Sequence, residues 1–213
     1  MNYDSLIDSK ANYESIKGWV NSDRLPPEAI LAEALLDIDT RLRVREMKSH
    51  FPTTSPDQAI QLQLPNDFQA PLSFRRYGSV AGRIDILDTD YFETRVVVDD
   101  SGALTLGTPT ECQIIGYPAT AHFNYRANGA IPVRLAYWAK VPKLAPNTQT
   151  NFLTERYPTL LRFACTWRAY DFLKDAEKAD GHMKKYFDEV QAANREYDMG
   201  EAANRFEPYS DKP

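Results

Sequence analysis

The chain has 213 residues and a formal net charge of −5, enough for one large domain or a domain with an elaborate insertion. That charge argues against sequence-independent binding to a nucleic-acid backbone, and no run approaches the roughly 18 apolar residues of a membrane span. The start, MNYDSLIDSK, lacks a basic segment followed by an apolar run, so no signal peptide, a soluble protein and synthesis in the cytoplasm are expected.

The acidity is uneven. Residues 171–213 hold 11 acids and 7 bases, whereas residues 1–170 hold 19 acids and 18 bases. Cys112 and Cys165 stand far apart without a CxxC partner, which predicts two reduced, packed thiols.

In chain order, residues 3–20 are expected to form a first helix, with Leu6, Tyr13, Ile16 and Val20 near helical spacing. NSDRLPPE breaks it, and Pro27 sits where the first turn of a second helix, 27–45, tolerates proline. Leu31, Ala34, Leu35, Ile38 and Leu42 fall on one face of that helix. RLRVR also alternates like a strand, so the helix has a second reading with an earlier end.

From about 58 to 143 the period changes to two. QAIQLQL alternates until Pro65, and RIDIL, RVVVDD and ALTLG follow as short strand candidates. LDTDYFETR predicts a short helix, with Asp88 as its cap. TAHFNYRANGAIPVRLAYWAKV reads as a hairpin with Asn-Gly at its tip. Its second strand puts Ile131, Val133, Leu135 and Tyr137 on one face and Arg134, Ala136 and Trp138 on the other.

After a turn-rich connector, TNFLTERYPTLLRFACTWRAYDFLKD is the most helical stretch, yet it contains Pro158. Asn151 is expected to cap it, and Pro158 to kink the helix or restart it. Leu153, Tyr157, Leu160, Leu161, Ala164, Trp167 and Tyr170 share a stripe. A final helix, 180–198, precedes an extended arm, 199–213. The expected fold is α+β: a helical bundle from residues 1–57 and 144–198, with an antiparallel β insertion over 58–143.

Reactive chemistry is sparse. His50, His122 and His182 stand alone, GSVAG lacks the placement of a nucleophile elbow, and there is no phosphate loop. Asp85, Asp88 and Asp90 lack the ligand series of a calcium loop and read as solvated turn carboxylates. No catalytic residue, cofactor or metal is expected.

The run PVRLAYWAKVPKLAPNTQTNFLTERYPTLLRFACTWRAYDFLKD resembles bacteriophage head-to-tail adaptor proteins. Its elements are Tyr137 and Trp138, the Pro142–Leu144 turn, Asn151 and Phe152, then Tyr157 and Pro158. GWVNSDRL with AILAEALLDIDTRLRVREM is similar to the family's opening helices, LQLPNDF to a strand-to-loop element, and TECQIIGYPATAHFNYRA to a strand ending in the central hairpin. The likeness covers about residues 3–198 but matches residues 70–100 poorly.

The resemblance implies a structural virion protein without enzymatic activity, located at the head-tail junction. Such adaptors form a ring, usually of twelve copies. The ring docks on the portal protein, meets the tail tube or nozzle and extends the channel through which the genome leaves, so DNA passes without being specifically bound.

Docking through a C-terminal arm would use Tyr197, Met199, Phe206 and Tyr209. A ring needs two complementary faces per copy, and Arg41, Arg45, Trp138, Phe163, Arg168 and Phe172 are the candidates. Two rival readings remain: another tail-completion or gatekeeper connector, and a carbohydrate- or ligand-binding β module using Tyr137 and Trp138.

Overall fold

Asn151 and Pro158 set the course of the helical region. The Asn151 side chain accepts from the N–H groups of Leu153 (3.0 Å) and Thr154 (3.2 Å), and the Thr154 hydroxyl accepts from the Asn151 N–H at 3.0 Å. This reciprocal cap starts helix α5, Phe152–Arg156. Tyr157, as the residue before a proline, leaves the helical region with φ −123° and ψ 45°. Helix α6, Pro158–Phe172, then begins at the proline. Of the two expected outcomes the chain takes the restart, at the position where the missing N–H is harmless.

A computed structural model describes residues 1–205 of the chain. It divides into two compact units, one from Met1–Glu46 together with the chain from Val141 onward, the other Met47–Lys140.

The first unit is helical. The single helix expected over 3–20 is two, α1 (Tyr3–Ile7) and α2 (Ile16–Val20). Ser15 ends the intervening turn: its hydroxyl donates toward Ser9 and Asn12 carbonyls at 2.7 and 2.8 Å and accepts from the Gly18 N–H. Gly18 is required there, since a Cβ would lie 2.1 Å from the Asn12 carbonyl oxygen.

Helix α3, Pro27–Arg41, ends before RLRVR, the earlier of its two readings. Helix α7, Ala176–Arg205, begins sooner than expected and runs seven residues into the stretch expected to be extended. Ala179, Tyr186, Val190 and Ala193 form its buried stripe, which packs on α6. No helix among the described residues is long and apolar enough to cross a membrane.

The second unit overturns the expected architecture. It contains a large, nearly closed, barrel-like sheet of seven mixed strands, so the fold is not a helical bundle with an antiparallel β insertion. The strands are β1 (Lys48–Ser55), β2 (Gln61–Gln63), β3 (Phe68–Arg76), β4 (Gly82–Ile86), β6 (Glu111–Ile115), β7 (Thr120–Phe123) and β9 (Ile131–Ala139). Helix α4 (Thr89–Glu93) and the two-residue strands β5 (Leu106–Gly107) and β8 (Arg126–Ala127) complete it, and β5 pairs parallel with β8.

The seven strands lie in the order β1-β9-β3-β4-β6-β7-β2. β4 and β6 are parallel because the chain between them is long enough for a crossover, which carries α4 under an Asp88 cap. The expected hairpin does not form: β9 pairs with β1 and β3, while β7 pairs with β6 and β2. Gly129 makes a turn, with φ 91°, but the ladders on either side have other partners. RVVVDD contributes only an isolated bridge from Val98 to Leu104.

The alternation read in β9 holds. Ile131, Val133, Leu135 and Tyr137 are buried with Phe74, Ile84, Cys112 and Phe123 in one core. Burial pushes the Cys112 thiol up to about 12 and raises that of Cys165 further, so both stay protonated and unreactive at neutral pH.

Asn151→Ala is expected to destabilise the chain by about 1 kcal/mol, whereas Pro158→Ala costs less than about 1 kcal/mol. Urea unfolding of the two variants checks both, and equal losses would contradict the restarted helix.

Candidate assembly surface

Asp37 is the charged centre of the helical unit. Its Oδ1 accepts from Arg41 Nε and from an Arg168 terminal nitrogen, both at 3.3 Å, and the Asp37 side chain is only 10% exposed. Each arginine also lies over a ring: Arg41 4.9 Å from the Phe187 centroid, Arg168 4.1 Å from that of Trp167. Trp167 stacks on Tyr186 at 5.6 Å, and Tyr186 meets Phe187 at 5.3 Å. One carboxylate, two guanidiniums and three rings therefore join α3, α6 and α7. Burial first, and then the Asp37 charge, push the Tyr186 phenol well above its ordinary value; its hydroxyl makes no hydrogen bond of normal geometry.

A second aromatic group lies further along the same seam. His182 stacks on Tyr170 at 5.4 Å and sits 6.0 Å from Phe163. Burial, followed by the Lys185 and Arg162 charges, holds its pKa below the ordinary 6.5.

These contacts place the residues singled out for association between copies. Arg168 and Phe163 are engaged within the chain, Arg168 by Asp37 and Trp167, Phe163 by His182 and Lys185. Arg41 is held by Asp37 yet half exposed. Phe172 is 52% exposed. Trp138 is half-buried on the sheet, with Lys48 Nζ 5.9 Å from its ring.

Arg45 and Tyr197 line a recess of about 340 Å³, together with Glu46, Arg156, Tyr157 and Glu196. Arg156 and Glu46 form an ion pair at its edge. Met199, further along α7, is 66% exposed. Phe206 and Tyr209 lie outside the described residues. Within the helical unit the structure thus brings Arg45 and Tyr197 together at the recess, and Arg41 and Arg168 together on Asp37.

Tyr13, read with Leu6, Ile16 and Val20 as part of one helical stripe, is instead 89% exposed in the turn between α1 and α2. Two further exposed apolar side chains escaped the sequence reading: Tyr117 (94%) in the tight turn between β6 and β7, and Leu36 (67%) on the side of α3 away from its buried stripe. An apolar residue in a turn, or off the stripe of an otherwise regular helix, is the signal that marks such positions.

Asp37→Ala is expected to cost roughly 1.5–3 kcal/mol, because it removes the charged acceptor shared by two partly exposed guanidiniums. Arg41→Met, at a half-exposed site, costs less than about 1 kcal/mol. Chemical denaturation distinguishes the two.

For His182 the folded pKa lies below the unfolded one, so its contribution is complete above pH 6.5 and falls away as acid protonates the unfolded chain first. His182→Gln should flatten the loss of thermal stability between about pH 7 and 5. An unchanged pH profile would contradict this packing.

No curated protein matches the chain. The SU10 adaptor protein family matches residues 1–207, which spans both units and α7. The chain belongs to the SU10 adaptor protein family, a family of phage structural adaptors.

Proposed function

We propose that this adaptor docks on the portal of a phage head, joins it to the tail tube or nozzle, and extends the DNA channel as a ring. The observation that carries the reading is the family match over residues 1–207. In this role the protein makes and breaks no covalent bond and works by contacts between copies and with its two neighbours. Its site of action is the head-tail junction of the virion.

The far end of α7 supports a docking role. The last buried apolar residue described on it is Ala193. Past that point Tyr197 borders the recess with Arg45 and Arg156, and Met199 is open to solvent. An exposed methionine and a half-exposed tyrosine beside two arginines match the composition of interface centres. Arg41, Phe172 and Trp138 are the remaining candidates for contacts between neighbouring copies.

Removing residues 199–213 should abolish co-sedimentation with portal particles while the circular dichroism spectrum and melting temperature stay near those of the full chain. Native mass spectrometry of the protein with and without portal then reports the ring. Undiminished docking by the shortened chain would refute the arm, and a monomer with no portal affinity would refute the adaptor reading.

A further inference from the structure

The outward face of the sheet carries a row of arginines that the fold does not need. In the ladders, Arg134 of β9 stands opposite Arg75 of β3, and Arg75 stands opposite Arg83 of β4. Arg134 also faces Pro52 of β1. The next row inward, Phe51, Leu135, Phe74 and Ile84, belongs to the core, so the arginine row points away from it. All three arginines are exposed.

Lys48 and His50 lie on the same outward face of β1, and Asp85 on that of β4. Asp85 pairs with Arg83 Nε at 2.8 Å. Among the described residues no ion pair engages Arg75 or Arg134. A chain of net charge −5 thus concentrates four cations against one carboxylate on four adjacent strands.

Like charges directly opposite one another weaken a sheet. Sequence alternation alone would be met by any polar residue at these positions, so three aligned guanidiniums call for an anion. Adjacent strands are about 4.8 Å apart, and the row therefore spans about 10 Å. Extended arginines on that spacing can grip successive phosphates, each offering the paired acceptors that a guanidinium matches.

An acidic protein is the less favoured occupant. Stable protein interfaces have an apolar centre, and of the positions flanking the row, Pro52, His50, Ala136 and Ser73 to one side and Thr54, Pro132 and Tyr77 to the other, only Tyr77 carries a large apolar side chain.

We propose that the outward face of β1, β9, β3 and β4 binds the phosphodiester backbone of duplex DNA without reading its sequence, through Arg134, Arg75 and Arg83. The binding is weak and electrostatic, a contact for a moving duplex. It goes beyond the adaptor reading, and portal docking can succeed or fail independently of it.

The test is fluorescence anisotropy of the full chain with a short labelled duplex across a salt series. Three phosphate contacts predict an affinity that falls about 40-fold between 50 and 200 mM salt, equally for unrelated sequences. The variant Arg75→Gln/Arg83→Gln/Arg134→Gln should bind at least about tenfold more weakly at low salt, with a flattened salt dependence. Asp85→Asn should bind more tightly than the natural chain, an opposite change that a folding defect would not produce.

Absence of duplex binding at low salt would overturn the proposal, as would undiminished binding by the triple variant. Preference for polyglutamate over the duplex would also overturn it, in favour of an acidic protein partner. Portal co-sedimentation measured on the same samples separates failure of this inference from failure of the adaptor reading.

Discussion

The helical unit depends on a carboxylate that is shared. Asp37 sits on α3 and holds Arg41 from its own helix and Arg168 from α6, and each arginine presses on a ring of the α6–α7 seam. A buried charge pair by itself adds little to stability, because desolvation offsets the attraction. What the arrangement supplies is position. A guanidinium that must meet both a carboxylate edge and an aromatic face has few acceptable places, so the register of α3 against α6 and α7 is narrowly defined. Asn194 reinforces it from the other side: its side chain accepts from the Arg43 N–H at 2.7 Å and donates to the Arg41 carbonyl at 3.1 Å, closing the end of α3.

This constraint explains why the aromatic-rich helix is not a sticky surface. Phe163, Trp167 and Tyr170 look like a surplus when α6 is read alone, but α7 offers them His182, Tyr186 and Phe187 in turn. The aromatics are therefore spent within one chain. The large apolar side chains this leaves exposed on α6 and α7 are sparser, Phe172 and Met199.

Local signals were legible wherever the chemistry was local. Asn151, Asp88 and Pro158 announced helix starts because a cap and a proline act on their immediate neighbours. The burial of alternate residues in β9 followed from strand geometry. The sheet's connectivity was not legible. β1 was hidden by Pro52, tolerated because β1 is an edge strand, and β3 by Pro71, accommodated where the register to β9 shifts. Asn128–Gly129 signalled a turn correctly, but a turn does not say which strands pair beyond it. Likewise Arg168 was picked out by composition, while its partner lies 131 residues away and no local pattern could supply it. The arginine row has the same origin: its members come from three strands and align only once the ladders are known.

Helix α7 changes character along its length. Through Ala193 it is fastened by side chains that exclude water. From Asn194 to Glu201 it presents its own amide, phenol and carboxylates, toward the Arg43 N–H and a recess shared with Arg45 and Arg156. Polar contacts of that kind exchange with water, or with another polar surface, at small net cost. The helix is consequently a permanent fixture at its root and a negotiable one at its tip, and a lineage can rewrite the tip for a new neighbour without disturbing the root.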